Sequence, residues 1–400
     1  MTEKLYEKQS YRKECQTLVT KCVREGNKVY IKLKETIFFP EEGGQYSDTG
    51  TLCFGGRTVH VLRGDLLGSP TEGETDIRYL ADGEIEAGTE VLCKLDWDIR
   101  FDRMQNHSGE HILSGLLHSN YGYNNTGFHL SDTEPVTVDT DGVLSAEEVE
   151  ALEREANSVI YANLPITVSY PSAGELKALD YRSKIEIRSA LRMITIGDES
   201  QTVDVCACCA PHVSSTGSVG ILKILSAEKF RGGTRLSILC GRRAYAYINQ
   251  SLKYLDAASR VFSTRPELLS SIAKKSKEDN LRLKEEAGKL AEELLLKEIR
   301  SEAGSNLICT EIALAPDIMK NLYNVLTGLR EGFVGIFSGN DRDGYRYYAG
   351  GRDLDARSLS QRMQEELGAK GGGSPEMVQG KTSAGRKQLE AFFSRINKGS

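Results

Sequence analysis

Met104-Gln105-Asn106-His107-Ser108-Gly109-Glu110-His111-Ile112-Leu113-Ser114-Gly115-Leu116-Leu117 gathers Ile112, Leu113, Leu116 and Leu117 on one side with polar residues between, the spacing of an amphipathic helix. On such a helix His107 and His111 stand four residues apart, so they point the same way one turn apart, as two neighbouring ligands of one metal require. The same spacing also arises by chance on surface helices, so the pair needs a second signal. Upstream, over about residues 30–96, the alternation of Val29, Ile31 and Leu33 is broken by Gly43-Gly44, Gly55-Gly56 and Gly64. Strands with such turn punctuation predict a small β-barrel. Downstream, Ser145 with Glu148 reads as a capping box opening a helix that runs to Ala162 and stops before Pro165. Strand-like stretches follow at 166–170, 191–197, 220–226 and 235–239.

From 244 to about 303 the composition shifts to Leu, Ala, Glu, Lys and Arg. Leu283, Ala287, Leu290 and Leu294 keep the steps of a heptad, and Pro266 breaks the stretch into two helices, a long arm or an antiparallel hairpin. The heptad reads equally as a solvated spacer and as a seam for a second copy of the chain (a homodimer) or for a docked domain. Beyond Asn306 a new α/β unit is expected. It has a strand over 333–337, a hairpin at Asp341-Arg342-Asp343-Gly344, a helix over 359–367, then Gly371-Gly372-Gly373 and a last helix over 383–396. The whole reads as an α+β multidomain chain: a β-barrel-like domain (1–97), an α/β metal-binding domain (98–243), a coiled-coil-like helical arm (244–304) and a C-terminal α/β domain (305–400).

At 400 residues, 39% hydrophobic and 27% charged, the chain has the composition of a soluble protein with more than one core. No apolar run approaches the roughly 20 residues needed to span a bilayer, so no membrane is expected. The first residues, Met1-Thr2-Glu3-Lys4-Leu5-Tyr6-Glu7-Lys8, are charged and lack an apolar stretch, which excludes a signal peptide there and predicts a cytoplasmic protein. Nine cysteines without a secretion signal read as metal-binding or catalytic rather than as disulfides. A net charge of −6 argues mildly against a coat of nucleic acid but leaves room for a local basic patch.

The second signal is Cys206-Ala207-Cys208-Cys209-Ala210-Pro211-His212. A thiolate and an imidazole there complete a three-histidine, one-cysteine set suited to tetrahedral zinc, and three of only six histidines fall in these two clusters. The plain alternative is buried cysteine beside a capping histidine. Spacing admits Cys206, Cys208 or Cys209 as the thiolate. The third signal is Thr36-Ile37-Phe38-Phe39-Pro40-Glu41-Glu42-Gly43-Gly44-Gln45-Tyr46-Ser47-Asp48-Thr49-Gly50, whose paired glycines fit a plain β-turn or a backbone that comes close to a ligand.

Together these segments resemble the editing module of alanyl-tRNA synthetase and its free-standing AlaX-type relatives. The family's H-x-x-x-H matches His107 and His111. Its C-x-x-x-H-V-x-x-T-G matches the ten residues from Cys208 through His212 to Gly217, which selects Cys208, and its T-x-F-Y-P-x-x-G-G-Q-x-x-D-x-G matches Thr36 to Gly50, with Phe39 in place of Tyr. Gly371-Gly372-Gly373 with Gln379-Gly380 is similar to the DHH-associated domain that follows the module. Two departures stand out: Cys209-Ala210-Pro211 replaces the usual Gly-Gly-Thr, and Glu110 precedes His111.

The resemblance implies a zinc-dependent hydrolase that removes serine or glycine from alanine tRNA, with His107, His111, Cys208 and His212 on the metal. Thr36 would offer a hydroxyl to a serine side chain, Gln45 would hold substrate or backbone nearby, and Glu110 joins them as a catalytic candidate. No aminoacylation domain precedes the module, so action in trans is expected. Arg386, Lys387 and Arg395 would supply the cations that tRNA phosphates need. Two rivals remain. His107-x-x-Glu110-His111 also fits the inverted H-x-x-E-H signature of metallopeptidases, with Glu110 as base. A non-catalytic RNA-binding protein with structural zinc is the other.

Overall fold

The computed structural model describes residues 1–68, 75–176, 181–182, 191–301 and 305–398. The chain divides into two compact units, Met1–Tyr254 and Leu255–Ser400.

The first unit opens with β1 (Glu14–Glu25), β2 (Lys28–Leu33), β3 (Gly50–Phe54), β4 (Arg57–Leu67), β5 (Asp76–Ala81) and β6 (Glu90–Leu95). They pair in the order β1-β2-β5-β4-β3-β6, and β6 returns to β1 through Glu14↔Lys94 to Leu18↔Glu90, closing the barrel. Closure leaves no unpaired edge. Inward side chains alternate along each strand and form one core with Ile31, Leu33, Ile37, Phe38, Phe39, Leu52, Ile77 and Tyr79. Burying one such aliphatic or aromatic side chain contributes about 1.5–3 kcal/mol. Gly50 is required by strand packing, because a Cβ there would lie 2.2 Å from the Lys94 carbonyl oxygen. The barrel expected from sequence is present. It recruits β1, which lies before the stretch that reads as strands.

After the barrel come α1 (Trp97–Tyr121), β7 (Asn125–His129), β8 (Val136–Thr140), α2 (Ala146–Ala162), β9 (Ile166–Ser169), β10 (Met193–Gly197), β11 (Thr202–Ala207), β12 (Leu222–Phe230) and β13 (Gly233–Cys240). The strands form two antiparallel sheets, β12-β13-β8-β7 and β9-β10-β11. The expected helix over 104–117 is the buried middle of α1. Its Ile112, Leu113, Leu116 and Leu117 join Leu152, Ala156, Ile160, Ile194 and Ile238 in a second core. The capping box is formed: the Glu148 N–H donates to Ser145 Oγ (3.2 Å) and the Ser145 N–H donates to Glu148 Oε2 (2.7 Å). Asn163, left-handed at φ 51°, ends α2 ahead of Pro165.

A helix α3 (Gly241–Val261) crosses the division between the units. The second unit holds α4 (Leu269–Arg300), β14 (Leu307–Thr310), α5 (Pro316–Leu329), β15 (Phe333–Asn340), β16 (Gly344–Gly351), α6 (Ala356–Leu367), β17 (Lys370–Gly373), β18 (Met377–Thr382) and α7 (Arg386–Lys398). Its sheet runs β14-β15-β16-β18-β17, with β14 and β15 parallel and the other pairs antiparallel. Val334 and Ile336 of β15 face α4 and α5, while Phe337 faces α6 and α7. A strand buried on both faces reads as a continuous apolar run, which is why 333–337 stands out in the sequence.

The glycine triplet is the exposed edge strand β17, where side chains at Gly371 and Gly373, though not at Gly372, would strike β18: a Cβ on Gly371 would lie 2.2 Å from the Gln379 carbonyl oxygen. On α4 the buried positions are Gly288, Ala291 and Ile299, against Met319, Leu322 and Leu326 of the second unit. The heptad residues Leu283, Leu290 and Leu294 lie off that face and are 57%, 62% and 65% exposed. No helix among the described residues is long and apolar enough to cross a membrane.

Candidate metal centre

Four side chains from two elements converge. His107 and His111 come from the middle of α1, and Cys208 and His212 from the loop after β11. Their ligand atoms all lie within 4.8 Å of one another. Cys208 Sγ is 3.7 Å from His107 Nε2 and 3.3 Å from His212 Nε2. Bond lengths of about 2.0–2.1 Å to nitrogen and about 2.3 Å to sulfur, at tetrahedral angles, put nitrogen and sulfur about 3.6 Å apart. The residues therefore fit a tetrahedral metal.

The outer nitrogens strengthen that fit. His107 Nδ1 meets Gln45 Oε1 (2.8 Å), His111 Nδ1 meets Asp204 Oδ2 (2.9 Å) and His212 Nδ1 meets Ser108 Oγ (3.0 Å). Each Nδ1 is occupied, so each Nε2 is turned to the common point, the arrangement that orients histidine toward a metal. Burial opposes ionisation of the Cys208 thiol, but His107 and His212 outweigh it and hold it well below the ordinary range. Burial holds His212 down at about 3, in the neutral form a ligand needs.

Asp204 is fixed in turn by Arg182, with Nε to Oδ1 at 2.7 Å and Nη2 to Oδ2 at 2.8 Å. Burial raises the Asp204 carboxyl, but His111 and Arg182 outweigh it and keep it ionised. Arg192 spans the ligand loop from outside, its Nη1 donating to the carbonyls of Cys208 (2.8 Å) and Ala210 (2.9 Å).

Gly43 and Gly44 have φ of 62° and 80°, the left-handed pair of a two-residue hairpin turn. Residues 42 and 45 bond across it in both directions, at 3.2 and 3.1 Å. The segment is thus a turn and also a close approach: a Cβ on Gly43 would come within 3.2 Å of Cys209 Sγ, and Gln45 is brought onto His107. Asp48 anchors the stretch. It accepts from the Phe39 N–H (2.7 Å) and forms a fully buried ion pair with Arg100, which also donates to the Ile37 carbonyl (2.7 Å).

Of the remaining sequence candidates, Glu110 lies beside the tetrad. Its Oε1 accepts from Ser114 (2.6 Å) and Asn125 (2.5 Å), and its Oε2 is 3.9 Å from His111 Nε2. Thr36 is fully buried inside the barrel, its Oγ1 accepting from the Phe38 N–H (3.0 Å) and bonded to Tyr79 Oη (2.8 Å). Arg386, Lys387 and Arg395 lie on α7 of the second unit; Arg386 pairs with Glu390 at 2.9 Å and Arg395 with Glu366.

Sequence reasoning missed Ser108, Asp204, Arg182 and Arg192. Ser108 was legible in principle, since it stands between His107 and His111. Asp204 precedes the cysteine cluster by two residues, without a motif of its own.

Comparison with known proteins bears on this site. Residues 191–236 match the family model described as the threonyl and alanyl tRNA synthetase second additional domain. The chain is 28% identical to alanyl-tRNA editing protein AlaX-L of Pyrococcus horikoshii, over 97% of this chain and 96% of that protein. It is 28% identical to alanyl-tRNA editing protein Aarsd1 of Danio rerio, over 90% and 86%. With an alanine–tRNA ligase of Pyrobaculum aerophilum it shares 27% identity over 97% of this chain but 43% of that protein.

Proposed function

From a chain similar over nearly its whole length to alanyl-tRNA editing proteins, we propose an aminoacyl-tRNA deacylase that hydrolyses the ester joining serine or glycine to the terminal ribose of alanine tRNA. The observation that carries the proposal is the convergence of three oriented imidazoles and one thiol on a single point.

Zinc is the metal this donor set suits, held by His107, His111, Cys208 and His212. When bound it would supply a Lewis acid beside the ester carbonyl. The chain's own groups do the rest. Glu110, buried at the edge of the tetrad with Oε2 3.9 Å from His111 Nε2, would take a proton from the attacking water. Water adds to the carbonyl carbon, the ribose oxygen leaves and is protonated, and a free amino acid and an uncharged tRNA result. Gln45 orients His107 through Oε1 and has its Nε2 left to hold substrate. Thr36 acts as a positioning residue, through the strand that leads to the turn.

A peptidase of the inverted H-x-x-E-H type would need a carboxylate as third ligand, and Cys208 with His212 stands where it would be. The C-terminal region, proposed as a DHH-associated domain, would grip tRNA through α7, and the exposed leucines of α4 would seat a second copy of the chain. The test is deacylation of seryl-, glycyl- and alanyl-tRNA. Seryl or glycyl ester should be cleaved and alanyl ester spared, and a generic peptide left intact. Cleavage of the peptide and not the esters would replace the assignment.

A further inference from the structure

The turn that brings Gln45 to His107 carries a second side chain to the same place. Glu42 and Gln45 face each other across the turn as an antiparallel pair bonded in both directions. Residues so paired project from one face, about 5.5 Å apart at Cα. Since the Gln45 side chain lies against His107, the Glu42 carboxylate is on the metal side of the turn. The thiol of Cys209, the residue after Cys208, lies against the same turn.

Two features show that this face is unfinished. Gln45 is fully buried, yet its Nε2 has no partner. Glu42 is half-buried and has no ion-pair partner among the described residues. Lys4, the cation that acts on it, is bonded to Thr75 (3.0 Å) and paired with Glu7 (3.6 Å). A desolvated carboxylate and a desolvated amide donor, side by side, call for a ligand that brings a cation and an acceptor.

An aminoacyl ester has both, an α-ammonium one carbon from its carbonyl. Three neutral imidazoles and one thiolate leave a divalent ion with a net positive charge, which repels an incoming ammonium. A nearby carboxylate offsets that repulsion. We infer that Glu42 receives the α-ammonium of the aminoacyl ester while the Gln45 amide donates to an oxygen of the same group, so that the site selects esters whose amino group is free. The inference rests on the editing assignment and deepens it.

The experiment compares seryl-tRNA with N-acetylseryl-tRNA, the same ester without its positive charge, using the full-length protein, Glu42→Gln and Glu42→Asp, with bound metal measured for each. The unsubstituted protein should prefer the free amine. Glu42→Gln should lose about 10- to 100-fold in kcat/KM on seryl-tRNA, the worth of one charge-assisted hydrogen bond, and change little on the acetylated ester. Glu42→Asp, which keeps the charge, should retain part of the preference. Equal activity of the unsubstituted protein on both esters, or an equal loss on both in Glu42→Gln at full metal content, would overturn the role of Glu42 and leave the editing assignment standing. Inactivity of the unsubstituted protein on both seryl- and glycyl-tRNA would instead overturn the assignment, and this role with it.

Discussion

Cys208 has two neighbours of its own chemistry, and position separates them. Cys206, within β11, lies with Asp204 on the far side of His111, and Cys209 turns toward Glu42, while Cys208 Sγ alone of the three groups with all three imidazoles. Cys208→Ala should therefore lose its bound zinc, and Cys206→Ala and Cys209→Ala should keep it, as read by metal analysis of the purified proteins. Full zinc in Cys208→Ala would move the ligand to a neighbour.

Thr36 makes a different point. Its hydroxyl is used up inside the barrel, so its influence on amino-acid choice runs through the position of residues 37–45. Thr36→Val leaves the Phe38 N–H without a partner, at a cost of about 1–3 kcal/mol, while Tyr79 keeps its bond to the Phe38 carbonyl. Seryl-tRNA hydrolysis should slow at unchanged zinc content, and unaltered rates on seryl- and alanyl-tRNA would remove Thr36 from the site. The convergence of His107 and His111 was legible because a helix turns spacing into direction. Asp204 and Arg182 were not, because what makes them functional is a partner that only the fold supplies.

Among the elements, the turn at Gly43-Gly44 has the closest link from sequence to site. Left-handed φ at two successive residues costs an L side chain about 1–2 kcal/mol each. Gly43→Ala adds a crowded contact with Cys209. It should loosen Gln45 from His107 and lower kcat/KM on seryl-tRNA about 10-fold, with the barrel still folded by circular dichroism. An unchanged rate would mean that the turn does not hold the site together. The α2 helix was readable end to end because its cap is a local pattern. The first barrel strand was less legible: of its inward residues Cys15, Thr17 and Val19, only Val19 is an aliphatic β-branched side chain. On α4 the small residues Gly288 and Ala291 allow α5 to approach, and the heptad leucines remain outside, on the face that reads as a solvated spacer or a seam for a second copy.

For the whole molecule the division of labour is between two units, each with its own core. The first carries the candidate metal centre, and the second carries the cations proposed to meet tRNA phosphates. Arg386 and Arg395 are paired with surface carboxylates, but exposed pairs contribute little and exchange readily for phosphate. Replacing Arg386, Lys387 and Arg395 together by glutamine should weaken binding of full-length tRNA and flatten its salt dependence, by about one unit of slope for each phosphate no longer neutralised. Hydrolysis of a minimal acceptor-stem ester should persist. An unchanged salt slope would make α7 an ordinary solvated helix.

The central claim, that a metal held by His107, His111, Cys208 and His212 supports deacylation, is tested most directly by following hydrolysis of seryl-tRNA bearing alanine anticodon and acceptor sequences before chelation, after chelation and after zinc is returned. The account predicts rapid release of serine, its loss with the metal, its recovery with zinc, and no recovery in His111→Ala. Hydrolysis that continues at full rate in the metal-free protein would contradict it.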